Sequence, residues 1–146
     1  MTVPIPEFRE DGWLPAGHHA AGWEEIVARF GGSPGSRRER LTAKLSQLRE
    51  VLCAAGVPGT ILLDGSYISE KPEPGDFDIL FVGPANIQVR KDAEPDLASL
   101  LDASTAEERG YSLFFIPEDS PARGMLSTLW DLSKEGVAKG VVELTL

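Results

Sequence analysis

One short segment in the middle of the chain carries the side chains best suited to phosphate and metal chemistry. Gly65 and Ser66 form a turn sequence, and after nine intervening residues Asp76 and Asp78 follow at a spacing of two. Glycine has no Cβ, so a phosphate can approach its backbone closely, and serine can donate hydrogen bonds to that phosphate. Two carboxylates on one face of a strand repel each other unless a hard cation lies between them. The pattern predicts a triphosphate-binding turn beside a site for Mg²⁺ (or Mn²⁺).

Two short strands have to position these groups. Thr60–Leu63 is a short apolar run with β-branched residues. A second such run consists of Phe77, Ile79, Leu80, Phe81 and Val82. Between them, Glu70–Gly75 contains two prolines and a glycine, which excludes a helix or a central strand. Side chains alternate along a strand, so Asp76 and Asp78 share one face. We therefore predict a hairpin-like pair of strands with the turn and the carboxylates at one end.

The remaining patterns predict further helices and strands around this pair. Trp23–Phe30 has helical spacing, and Ser36 is a suitable N-cap for a longer helix that ends near Ala55. The other predicted elements are helices over Asp96–Leu101 and Pro121–Leu132, a strand over Tyr111–Ile116 and a strand over Val141–Leu146. Because Tyr111–Ile116 is dense in aromatic residues, we expect it to be buried on both faces.

These elements place the chain in the class of proteins that contain both helices and strands. A chain of 146 residues is long enough for one core and too short for two ordinary domains. Residues 1–21 are rich in proline and glycine and are expected to be an irregular N-terminal lead-in. Residues 22–146 are then the domain itself.

The turn and carboxylate motif resembles the signature of the DNA polymerase beta-like nucleotidyltransferase superfamily, especially its minimal nucleotidyltransferase members. Further segments, from Leu14–His18 to Lys139–Val142, resemble an uncharacterised bacterial family of small nucleotidyltransferase-like proteins. The resemblance implies a minimal nucleotidyltransferase fold of the α+β (α/β-like) class, in which helices pack mainly on one face of a mixed β-sheet. It also implies transfer of a nucleotidyl group from a nucleoside triphosphate to a hydroxyl of a protein, RNA or small molecule. It assigns Asp76 and Asp78 as catalytic metal ligands and Gly65 with Ser66 as the triphosphate site. A toxin–antitoxin or defence role, with a partner protein, would suit such a protein.

The superfamily pattern also requires a third carboxylate on a later, neighbouring strand. The candidate strand Tyr111–Ile116 contains none, although Ser112 is a neutral candidate for that position. Glu118 and Asp119 lie just beyond the strand and are alternatives for the third metal ligand, or else solvated turn residues. Two interpretations stay open: an active nucleotidyltransferase, and a catalytically inactive nucleotide-sensing or protein-binding module on the same fold.

Charge limits the classes of partner. The formal net charge is −9, and the acidic excess lies in residues 57–146. Broad DNA binding is therefore not expected. A basic cluster interrupts this pattern and is expected to be a solvated helix face, with a patch for a nucleotide tail, RNA or an acidic protein as the alternative. Its members are Arg37, Arg38, Arg40, Lys44 and Arg49.

The sequence predicts a cytoplasmic protein without a membrane segment. No apolar run approaches the roughly 20 residues that span a bilayer, and the first residues lack the features of a signal peptide. Cys53 is expected to be a buried thiol on the long helix. Asp64 is expected to cap the turn, and His18 and His19 to be surface or packing residues.

Overall fold

The computed structural model describes residues 4–75, 77–121 and 139–146, apart from the side chain of Ala103. These residues form five strands and five α-helices, with a short 3₁₀ turn at Ser66–Ile68. In chain order the elements are β1 (Gly17–Ala20), α1 (Trp23–Phe30), α2 (Arg37–Ala54), β2 (Thr60–Asp64), β3 (Asp78–Gly83), α3 (Ile87–Ala93), α4 (Pro95–Leu100), α5 (Ala103–Arg109), β4 (Ser112–Pro117) and β5 (Gly140–Thr145).

The strands form one mixed sheet in the order β1-β5-β2-β3-β4. Strand β2 is antiparallel to both of its neighbours, β3 and β5. The outer pairs, β1 with β5 and β3 with β4, are parallel. The predicted α+β fold with a mixed sheet is confirmed, and the sheet brings the ends of β2 and β3 together.

The described helices pack against a single face of this sheet. That face presents Ile61, Leu63, Ile79 and Phe81, all at 0 % exposure. Helix α2 covers part of it with a stripe of four buried leucines, Leu41, Leu45, Leu48 and Leu52. The other face holds a separate apolar cluster that strands alone supply, namely Leu62, Leu80, Val82, Ile116 and Val141. The predicted one-sided packing of the helices is therefore confirmed.

Local signals account for the two N-terminal helices. Helix α1 has the predicted bounds. Ser36 caps α2, since its Oγ accepts a hydrogen bond from the Glu39 backbone N–H at 3.1 Å. The prediction for Cys53 was wrong, because its side chain is exposed. Successive helical residues are about 100° apart, and Cys53 follows Leu52 outward from the leucine stripe.

Three other sequence predictions need correction. The lead-in contains a strand, β1, which pairs in parallel with β5 and lacks an apolar alternation of its own. Strand β4 is not buried on both faces, since Phe114 is 54 % exposed; β4 lies at the edge of the described sheet. Helices α3 and α5 were not predicted at all.

Two predicted features fall outside the described residues: Asp76, and the helix over Pro121–Leu132 except for its first residue. The other predicted strands and helix α4 match the structure with shifts of one residue at their ends. None of the described helices is long and apolar enough to cross a membrane.

Candidate functional site

Gly65 links the end of β2 to the 3₁₀ turn and lies against the start of β3. Its backbone has φ +90° and ψ −176°, a region that is essentially restricted to glycine. A Cβ at this position would lie 3.4 Å from the Asp78 backbone nitrogen and 3.5 Å from Asp78 Oδ2. The backbone of the predicted phosphate turn therefore lies directly beside a predicted metal ligand.

Ser66 begins the 3₁₀ turn and is partly exposed. The turn is closed by hydrogen bonds from Ile68 N–H to Gly65 O at 3.3 Å and from Ser69 N–H to Ser66 O at 3.1 Å. The Ser69 hydroxyl also donates to Ser66 O at 2.6 Å. These bonds fix the backbone of the turn and leave the Ser66 side chain available to a ligand.

Arg38 of α2 holds the turn and the segment after it in place. Its guanidinium donates to four backbone carbonyls, those of Phe30 (3.2 Å), Tyr67 (2.6 Å), Ser69 (2.7 Å) and Lys71 (2.5 Å). Desolvation lowers the pKa of Arg38. The expectation of a solvated cluster was therefore wrong for this arginine, because its guanidinium donates to backbone carbonyls of the turn and of the segment after it.

The strand register places two carboxylates opposite each other. Asp64, the last residue of β2, pairs with Asp78, the first residue of β3. Directly opposite residues of antiparallel strands point to the same face, with Cβ atoms about 5 Å apart. Ser112 pairs with Asp78 from the other side. We call this row of Asp64, Asp78 and Ser112 the carboxylate row; it lies on the sheet face opposite the helices.

Lys139 completes the surroundings of Asp64. Its Nζ lies 2.8 Å from Asp64 Oδ1, and the two side chains are only 8 % and 9 % exposed. The contact is a buried, charge-assisted ion pair between an ammonium and a carboxylate. The Trp13 ring covers the ammonium, with its centroid 4.5 Å from Nζ. Asp64 is thus part of a buried ion pair and not simply a turn cap.

The pKa of Asp64 is raised, and burial is the main cause. The Lys139 ammonium and the backbone N–H of Gly65 oppose this shift, while the negative charge of Asp78 adds to it. A buried carboxylate beside a second carboxylate is costly unless a cation compensates it. In this structure Lys139 supplies that compensation.

Glu118 and Asp119 are not brought to this site. Strand β4 runs parallel to β3, and its last residue, Pro117, pairs with Gly83. The Glu118 backbone N–H donates to Gly83 O at 2.8 Å. At about 3.3 Å per residue, Gly83 lies roughly 16 Å along β3 from Asp78. Ser112, by contrast, lies beside Asp78, so the position where the superfamily pattern expects a third carboxylate has a hydroxyl.

A surface concavity of about 440 Å³ adjoins the turn. It lies between the N-terminal segment and the segment after β2, which a hydrogen bond from Glu70 N–H to Gly12 O joins at 2.9 Å. Its lining residues are Asp11, Gly12, Trp13, Ser66, Ser69, Glu70 and Lys71. The concavity therefore brings Ser66 and the Trp13 side chain to one surface.

The remaining predicted residues are not members of the carboxylate row. The His18 ring Nδ1 is 3.4 Å from Glu143 Oε1, and His19 Nε2 is 2.6 Å from Pro15 O. Arg49 lies over the Trp23 ring, at 5.5 Å from its centroid. Arg37 and Arg40 are exposed on α2, as the solvated interpretation expected.

The donor chemistry of the carboxylate row suits Mg²⁺ in part. Mg²⁺ is commonly held by one or two carboxylates together with substrate phosphates, and Asp78 and Asp64 supply two. Within residues 4–75, 77–121 and 139–146, no group of three potential ligands is arranged around one point. The described row therefore fits an ion that also needs oxygen atoms from another source.

Sequence patterns identified Gly65, Ser66 and Asp78, and the structure places all three together. The same patterns missed Lys139, Trp13 and the role of Asp64. One indication of the role of Asp64 is visible in the sequence: this residue lies directly after the apolar residues of β2 and before Gly65. No local spacing links Asp64 to Lys139, since the two are far apart in the chain.

Fold and site together define a small α+β protein whose mixed sheet presents a Gly–Ser turn beside paired carboxylates. Residues 6–145 match the model of a family of unknown function, DUF6932, and the chain belongs to that family. Neither a curated protein nor a solved structure matches the chain significantly. Membership of the nucleotidyltransferase superfamily stays a prediction from the motif.

Proposed function

We propose that this protein is a metal-dependent nucleotidyltransferase-like protein that transfers a nucleotidyl group from a nucleoside triphosphate to a hydroxyl of a protein, RNA or small molecule. The observation that carries this proposal is the approach of the Gly65 backbone to Asp78, where an added Cβ would lie 3.5 Å from Oδ2. A phosphate at the turn and a cation at Asp78 would lie side by side and neutralise each other.

Each residue of the site has a defined task in this proposal. Gly65 admits the phosphate to the backbone, and Ser66 donates hydrogen bonds to its oxygens. Asp78, with Asp76 as predicted, holds Mg²⁺ or Mn²⁺. When bound, the ion supplies stabilisation of the charge that develops on the triphosphate. The row itself offers no third carboxylate, so the acceptor hydroxyl needs another group to take its proton.

A second function is favoured by Ser112. Its position opposite Asp78 removes the carboxylate that a two-metal site would use, and this suits a protein that binds nucleotides without catalysis. In that case the protein is a nucleotide-sensing or partner-binding module on the same fold.

A cytoplasmic location and a toxin–antitoxin or defence role, with a partner protein, are proposed for either function.

Labelled nucleoside triphosphates, Mg²⁺ and a cell extract test the enzymatic proposal. We expect transfer of label to an acceptor, and its loss in Asp78→Asn. Asp96→Asn on α4 is the matched control, because it removes an exposed carboxylate away from the site. Equal labelling by wild type and Asp78→Asn would exclude the catalytic role of Asp78.

Calorimetry with the same nucleotides separates the two functions. Binding without transfer in any extract would favour the nucleotide-sensing module. Absence of binding, with and without Mg²⁺, would contradict both proposals.

A further inference from the structure

Lys139 is a buried cation to which the proposed function gives no task. Its side chain is 8 % exposed and its Nζ pairs with Asp64 Oδ1 at 2.8 Å. Among the described residues, Asp64 is the one carboxylate within ion-pair distance of Lys139. Its other contact is the face of Trp13, which attracts a cation weakly by comparison with a carboxylate.

The same carboxylate is needed by any ion that uses both members of the Asp64–Asp78 pair. A magnesium ion that bound the Asp64 carboxylate would share it with the ammonium, which contacts Oδ1. Two cations on one carboxylate repel each other strongly in a partly desolvated site. A metal therefore binds Asp64 less tightly while Lys139 is paired with it.

A bound phosphate would give Lys139 a second negatively charged partner. Trp13, which covers the ammonium, lines the same concavity as Ser66. Lys139 also contacts Asp64, the residue before Gly65, so a phosphate held at the Gly65–Ser66 turn would lie near the lysine and offer it new negative charge. Lysine acts on phosphates as a mobile point charge and is suited to such an exchange.

We propose that Lys139 and a divalent cation compete for Asp64, so that the protein binds metal tightly only together with phosphates that take over the lysine. The phosphate part of this inference rests on the proposed function, whereas the competition for Asp64 does not. Metal and phosphate then assist each other, and by thermodynamic linkage each raises the affinity of the protein for the other by the same factor.

The first test measures Mn²⁺ alone, by the electron paramagnetic resonance signal of the free ion. We expect Lys139→Met to bind Mn²⁺ about tenfold or more tightly than the wild type, because the competing charge is removed. Lys91→Met is the matched control: it removes an equal charge on α3, which follows the opposite end of β3 from Asp78. Its affinity for Mn²⁺ should equal that of the wild type.

Two further variants keep the test decisive if Lys139→Met folds poorly. Lys139→Arg retains the charge and can hold a carboxylate with two hydrogen bonds, so its Mn²⁺ affinity should equal or fall below that of the wild type. The double variant Asp64→Asn/Lys139→Met should lose the gain of Lys139→Met, because the gain acts through Asp64. Tighter Mn²⁺ binding by Lys139→Arg than by the wild type would overturn the competition.

The second test measures inorganic triphosphate by calorimetry in the presence of a chelator. We expect Lys139→Met to bind it roughly tenfold more weakly than the wild type, which is opposite in sign to the effect on Mn²⁺. A purely structural role of Lys139 would weaken both ligands together. Unchanged triphosphate affinity would overturn the exchange of partners.

The outcomes also separate this inference from the proposed function. If Asp78→Asn abolishes Mn²⁺ binding while Lys139→Met leaves it unchanged or weaker, the metal site is supported and the competition is contradicted. If neither the wild type nor Lys139→Met binds Mn²⁺, both the metal-dependent function and the inference fail.

Discussion

Gly65 has a backbone conformation that requires glycine, and in the proposed function a phosphate approaches that same backbone. We expect Gly65→Ala to lower the free energy of unfolding by about 1–2 kcal/mol, since its φ of +90° is unfavourable for a residue with a Cβ. It should also weaken the binding of inorganic triphosphate, because the new methyl group would lie where the phosphate approaches. Denaturant unfolding and calorimetry measure the two effects.

Gly35→Ala provides the control for this prediction. Gly35 has a similar φ of +82°, and a Cβ there would have no neighbour within 4 Å. Its unfolding free energy should fall in the same way, while its triphosphate affinity should not change. If both variants bind triphosphate as the wild type does, Gly65 is a structural turn and not part of a phosphate site.

The buried pair of Asp64 and Lys139 predicts non-additive effects on stability. Lys139→Met leaves the buried carboxylate of Asp64 without its counter-charge and should cost about 3 kcal/mol of unfolding free energy at neutral pH. The double variant Asp64→Asn/Lys139→Met removes both charges and should recover most of that loss. Urea unfolding of the single and double variants checks this. Additive losses would show that the two side chains do not depend on each other.

The same pair predicts a pH dependence for Lys139→Met. The folded-state pKa of Asp64 is raised above its ordinary value of 3.8, so the folded chain binds this proton more tightly than the unfolded chain. Ionisation of the buried group therefore lowers stability as pH rises above about 4. Without Lys139 the upward shift grows, so the deficit of Lys139→Met relative to the wild type should increase between about pH 4 and 7. Urea unfolding across that range measures it, and a constant deficit would contradict it.

At the scale of elements, Arg38 connects α2 to the segment that follows β2. Arg38→Lys cannot serve the same four carbonyls and should cost about 2 kcal/mol of unfolding free energy. The amides of Ser69 and Glu70 should exchange with solvent about tenfold faster, while those of β2 stay protected. Hydrogen exchange detects this difference.

Arg37→Lys is the matched control, because Arg37 is the exposed neighbour of Arg38 on the same helix. It should leave stability and exchange unchanged. Equal effects of the two substitutions would show that Arg38 does not hold the turn.

The elements also show what sequence patterns can and cannot predict. Helix α2 was predictable because a side-chain cap and a leucine stripe coincide in it. Helix α3 has one buried apolar residue, Ile87, and a largely exposed Val89, so it has no clear period. Helix α5 has capping signals in Asp102 and Gly110, but it buries the small Ala106 in place of bulky residues. Where tertiary contacts decide a short helix, the local pattern is too weak to predict it.

In the site, too, local patterns predicted some residues and contacts between distant parts of the chain determined the others. The turn and Asp78 were predictable because β2 and β3 follow each other in the chain and pair as antiparallel neighbours. The ion pair with Lys139 depends on the pairing of β2 with β5, a contact between distant parts of the sequence. The burial that made Arg38 a structural residue likewise depends on where the loop packs, which charge patterns do not reveal.

At the scale of the whole molecule, charge predicts which partners are avoided. The net charge of −9 should prevent binding to random-sequence DNA even at low salt. Fluorescence anisotropy of a labelled duplex, titrated with the protein, checks this. Salt-dependent binding would point to a basic patch that overrides the net charge.

The order of the strands also bears on how the protein folds during synthesis. Strand β5 is the last strand in the described part of the chain, yet it lies inside the sheet, between β1 and β2. Until β5 emerges from the ribosome, β1 has no described strand to pair with, and Asp64 lacks its lysine. A nascent chain that stops short of Lys139 thus exposes an open sheet edge and an uncompensated carboxylate, a state that chaperones would have to protect.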